Sequence, residues 1–157
     1  IGREYGMGLQ RLNIIRDMGA DLADGRCYWP QETLALAGLT PEWLAQASKT
    51  KAAPKNLETL MQLYTQWLDQ TQAQLACGMR YALALQPWRL RLASALPALI
   101  GARTVSLLRQ AGPAALTQRI KMPRHEVRAL LWRLALGWGS PKALEEQFRQ
   151  LSGEAPA

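Results

Sequence analysis

Residues 8–30 read GLQRLNIIRDMGADLADGRCYWP, a stretch whose period is that of a helix. Asn13, Asp17 and Asp21 are four apart, so they share one helical face, about 6 Å per step along the axis. Gln10, three residues before Asn13, stands at the edge of that face. The helix is expected over about 3–22 and stops at the turn Ala23-Asp24-Gly25. Two carboxylates and two amides on successive turns present only oxygen acceptors. Such a surface favours a hard cation, Mg²⁺ above Ca²⁺ or Mn²⁺, over the metals that histidine or thiolate would select. One helix cannot complete an octahedron, and Mg²⁺ commonly shares the phosphate oxygens of a substrate, so an anionic ligand is implied. Arg16 and Arg26 stand where they can form charge-assisted bonds to the same phosphate. DxxxD alone is also the pattern of an ordinary solvated face, here offset by Arg11 and Arg16.

The rest of the chain agrees with an all-α fold. β-Branched residues are few, no period-2 alternation is sustained, and leucine and alanine recur at three- and four-residue spacing. Pro30 opens a short piece ending near Gly38, and Thr40-Pro41-Glu42 reads as a capped start. Residues 49–56, KTKAAPKN, read as a polar linker, with Asn56 capping a long helix that Pro87 ends. A second long helix is expected over 88–110, bent at Pro97. Residues 117–123, TQRIKMP, form a basic loop, and Pro123 opens a helix to about Leu136. A turn over 137–141 leads to a charged final helix and a frayed tail at 153–157.

Composition narrows the function classes. The 157 residues are 48% apolar and 20% charged, which suits one globular domain and excludes wholesale disorder. Cys27 and Cys77 lack the spacing of a zinc site or a disulfide framework, and an intracellular, cytoplasmic setting is expected. A single histidine, His125, excludes multi-histidine metal sites and reads as a surface residue. The longest uncharged apolar run, 92–102, is far below the roughly 20 residues that cross a bilayer and reads as a buried helix or cavity wall. Net charge is +7, and residues 80–133 carry ten basic residues against the single acid Glu126. That imbalance suits a diphosphate, a nucleic acid or a lipid headgroup as partner. No helix-turn-helix spacing or RGG tract supports nucleic acid, which is set aside.

The longer pattern, Q-x-x-N-I-I-R-D-x-x-x-D followed by G-R-x-Y-W-P, resembles the second aspartate-rich motif of the squalene and phytoene synthase family. A weaker likeness continues to the basic stretch Gln118-Arg119-Ile120-Lys121-Met122-Pro123-Arg124. The resemblance implies an all-α bundle of the isoprenoid synthase type and a transferase that joins two prenyl diphosphates head to head. Farnesyl or geranylgeranyl diphosphate would be the substrates, and a cyclopropyl diphosphate would lead to squalene- or phytoene-type products. It implies Asp17, Asp21 and Asn13 as ligands of Mg²⁺ (or Mn²⁺), with Gln10 beside them. Arg16 would meet diphosphate, and Arg26 with Tyr28 would brace the turn after the motif. Arg119, Lys121 and Arg124 would lie at the mouth of the site, near diphosphate or the phosphate of NADPH, the latter only if squalene is formed. Peripheral contact with a membrane is compatible with such a product. The family carries two acidic motifs on facing helices, whereas this sequence has one and begins at Ile1. The chain is therefore expected to be the C-terminal part of a single domain, inactive without its N-terminal half. The competing reading is a non-catalytic relative that keeps the bundle for protein assembly.

Overall fold

The computed structural model describes residues 1–49 and 54–153, apart from the side chains of Pro54, Lys55 and Trp138. The described residues form helices and turns and no strand: α1 (Gly2–Ala23), α2 (Gln31–Leu36), α3 (Pro41–Ala47), α4 (Pro54–Ala84), α5 (Trp88–Ala111), α6 (Arg124–Arg133) and α7 (Pro141–Ser152). A 3-10 turn at Gly112–Leu116 follows α5, and a π turn at Leu134–Trp138 follows α6. The fold is the all-α bundle that the sequence pattern requires.

Three long helices make the frame. α1 and α5 both lie against α4, and α7 closes over α5. On α4 the buried positions are Leu60, Tyr64, Leu68, Thr71, Leu75, Met79 and Ala82, a repeat of four and three residues that keeps one stripe inward for six turns. α1 buries Leu12, Ile15, Met18 and Leu22, each contributing about 2 kcal/mol by removal from water. Burying that stripe leaves Gln10, Asn13, Asp17 and Asp21 on the opposite side of the same helix. α5 packs through small residues, among them Ala95, Ala98, Gly101 and Ala102, so its neighbours approach closely. A Cβ at Gly101 would lie only 3.0 Å from Leu75 and 3.2 Å from Leu12.

Side-chain caps explain two of the helix starts. Thr40 Oγ1 accepts the Trp43 N–H at 3.1 Å, and Pro41 occupies the first turn of α3. Ser140 Oγ accepts the Ala143 N–H at 3.3 Å at the start of α7. Two expectations are corrected. α4 already begins at Pro54, so Asn56 lies inside its first turn and does not cap it. The second concerns α7, which starts at Pro141, inside the turn expected over 137–141; the helix opened by Pro123 keeps helical dihedrals past Arg133 and leaves them at Leu136 and Gly137, the latter at φ +90°. The linker residues 50–53 and the tail residues 154–157 lie outside the described residues, and Gly153 closes α7 in the left-handed conformation.

The stretch Trp88–Leu116 is long and apolar enough to cross a membrane by length and composition, which reading uncharged runs alone had excluded. Its apolar residues Ala95, Ala98, Leu99, Ala102, Val105 and Leu108 are core residues against α1, α4 and α7. It is the buried helix expected around residues 92–102.

Candidate functional site

Gln10, Asn13, Asp17 and Asp21 line one open groove along α1, together with Ile14, Arg26 and Tyr28, with a volume of about 290 Å³. Gln10 and Asn13 are exposed, whereas Asp17 and Asp21 are half-buried. The helix thus assembles the oxygen face that its spacing predicts. Among the described residues no group of three or more His, Cys, Asp or Glu side chains gathers to hold a metal ion. The donor set fits a hard divalent cation in chemistry, all oxygen and no nitrogen or sulfur, but supplies only part of its shell.

Both carboxylates are held by arginines. Arg16 donates to Asp17 through Nε (3.1 Å to Oδ1) and Nη2 (2.8 Å to Oδ2). Arg119, 102 positions later, brings its Nε to 2.8 Å from the same Oδ1. The Arg16 guanidinium holds the Asp17 carboxyl below the usual carboxylate range, with Arg119 adding to it against the opposing effect of partial burial. Arg26 Nη2 lies 3.4 Å from Asp21 Oδ1 and 2.9 Å from Asp24 Oδ2. Arg26 thus spans the turn after α1 with these two contacts, while Tyr28, 53% exposed, stands on the groove wall. Of the basic loop only Arg119 reaches the acidic face. Lys121 and Arg124 are exposed and, among the described residues, form no ion pair with it.

Packing fixes these positions, and the reading of the sequence missed how. The turn after α1 closes through Gly25 at φ +74° and an Arg26 N–H bond of 2.7 Å to the Asp21 carbonyl. Trp29 then enters the core. Its Nε1 donates to the Met18 sulfur at 2.9 Å, its ring stacks on Trp67 at 4.2 Å, and Arg11 covers the other indole at 5.7 Å. That stack ties the G-R-x-Y-W-P turn to α1 and α4. Gly19, within the D-M-G-A-D core of the motif, lets the Leu116 carbonyl approach to 2.7 Å from where a Cβ would stand. The close approach docks the 3-10 turn on α1 and delivers Arg119 to Asp17 three residues further on. Gly8, near the start of the same helix, is buried against Gln74 of α4.

The class defined is an all-α bundle with an oxygen-lined groove facing an arginine-bearing loop. Comparison with known proteins makes the assignment definite. The model of the squalene/phytoene synthase family matches residues 1–126. The chain belongs to the squalene/phytoene synthase family. It is 33% identical over 128 residues to 15-cis-phytoene synthase of Enterobacter agglomerans, covering 82% of this chain and 41% of that protein. It is 38% identical over 72 residues to phytoene synthase of Pseudescherichia vulneris, 46% of this chain and 23% of the relative. Over 45 residues it is 49% identical to chloroplastic phytoene synthase of Daucus carota, 29% of this chain and 11% of that one. The chain thus spans less than half the length of these curated relatives. No solved structure matches it significantly.

Proposed function

We propose that the complete protein carrying this chain is a Mg²⁺-dependent prenyl transferase that joins two prenyl diphosphates head to head. The single observation carrying this reading is the groove on α1, oxygen-lined by Gln10, Asn13, Asp17 and Asp21 and met by Arg16, Arg26 and Arg119. Asp17, Asp21 and Asn13 would hold the cation as one half of its protein ligands. The bound cation would neutralise charge developing on the departing diphosphate. The guanidinium groups of Arg16, Arg26 and Arg119 stand at the same groove and orient the diphosphate by charge-assisted hydrogen bonds. A facing half from the remainder of the domain would complete both ion shell and pocket. All three relatives named above are called phytoene synthase, which favours the route without a reductant.

The test is an assay of the complete protein with farnesyl and with geranylgeranyl diphosphate, each with and without NADPH. Asp17→Ala and Asp21→Ala are expected to lower turnover by about 100-fold or more, the scale of losing a main electrostatic element of a site. Full turnover by both variants at ordinary Mg²⁺ refutes the site. Formation of product only with NADPH redirects the assignment to the squalene branch.

A further inference from the structure

Asp17 is the residue on which two demands collide. As a cation ligand it must offer an oxygen lone pair to an ion about 2.1 Å away. In the structure Oδ1 already receives Arg16 Nε and Arg119 Nε, and Oδ2 receives Arg16 Nη2. A divalent ion cannot share Oδ1 with two guanidinium groups, because like charges would meet at one atom. Oδ2 has a single partner, but an ion there still meets the charge of both guanidinium groups, so its binding favours the departure of one. Arg16 is the next residue on the same helix, half-buried, and grips both oxygens. Arg119 is 57% exposed, holds one oxygen by a single contact, and sits on a loop anchored where Leu116 packs on Gly19. Its exposed side chain can leave Oδ1 without opening the core, because the packed anchor lies three residues earlier in the chain.

We propose that Arg119 is an exchangeable counter-ion of Asp17: it occupies the cation ligand while the groove is empty and moves to the diphosphate when that anion arrives. This rests on the function proposed above and adds a coupling between its two ligands. A guanidinium competing for Oδ1 weakens cation binding in the absence of diphosphate. Diphosphate, offering Arg119 a more highly charged partner, removes the competitor and so tightens the cation. Linkage requires the cation to tighten diphosphate by the same factor. Arg119 is in this sense a positioning residue, setting the order and tightness in which the site fills.

The probe is Mn²⁺ titrated into the complete protein, followed by electron paramagnetic resonance. Titrations are run with and without inorganic pyrophosphate, and protein-free Mn²⁺–pyrophosphate mixtures are subtracted. Without pyrophosphate, Arg119→Gln is expected to bind Mn²⁺ about two- to five-fold more tightly than the native protein, the factor that an exposed ion pair is worth. Pyrophosphate should then tighten Mn²⁺ less in Arg119→Gln than in the native protein, and Arg119→Lys should restore part of the difference. Unchanged or weaker Mn²⁺ binding by Arg119→Gln without pyrophosphate overturns the exchange. Asp17→Ala separates the two claims. If it leaves Mn²⁺ binding intact, the cation site itself is wrong; if it abolishes binding while Arg119→Gln changes nothing, only the counter-ion role falls.

Discussion

Glu126 receives two nitrogens of Arg103, Nε at 2.6 Å and Nη2 at 3.0 Å, and so pins the first turn of α6 to α5. The Arg103 bond holds its carboxyl below the ordinary value of 4.5. A carboxyl lowered on folding contributes stability that is complete above its unfolded value and fades as pH falls through the folded one. Glu126→Gln is therefore expected to cost up to about 1 kcal/mol at pH 7. The cost should vanish progressively below pH 4.5, measured by urea denaturation across that range. A difference that grows on acidification would contradict the pairing. At this scale the sequence was legible where partners are helical neighbours: Asp17 and Asp21 share a face because the chain winds 3.6 residues per turn. It was silent on Arg119 meeting Asp17 and on Arg103 meeting Glu126, since no local period reports a pair formed by folding.

At the level of elements, glycine decides how closely helices approach. A Cβ on Gly8 would fall 2.7 Å from Gln74 Cβ and 3.3 Å from its backbone carbon, so α1 and α4 would have to separate. Gly8→Ala is expected to destabilise by about 1–3 kcal/mol, outweighing the gain in helix propensity. Gly6, one turn-fraction away, has nothing within 4 Å, and Gly6→Ala should stabilise by up to about 1 kcal/mol. Chemical denaturation of the pair checks both, and equal effects would argue against the packing. The helices themselves were readable from period and punctuation, Thr40-Pro41 being the clearest start, whereas α7 starts at Pro141, inside the turn expected over 137–141. The α4 start was misread because Asn56 has the chemistry of a cap without the position of one. Which faces dock on which was not readable, because small residues on both sides of α5 leave its inward side undetermined by pattern.

Across the molecule, part of the basic excess of residues 80–133 is used in holding the bundle together. Arg109 meets Asp69 at 2.6 Å, Arg91 donates to the carbonyls of Leu85 and Gln86, and Arg133 donates to Gln147. Among the described residues, Arg119 is the member of that set that pairs with a carboxylate of α1. With two groove carboxylates and less than half the length of its relatives, the 157-residue chain expressed alone is expected to turn over no farnesyl diphosphate. Product formation by that piece, at any Mg²⁺ concentration, would show that a facing acidic helix is dispensable. The Trp29–Trp67 stack has an optical consequence. Indoles 4.2 Å apart and 5° from parallel trade excitation faster than they emit, so a photon absorbed by either belongs to both. The glow of that couple therefore reports whether the segment trailing the acidic coil is seated, with no dye attached.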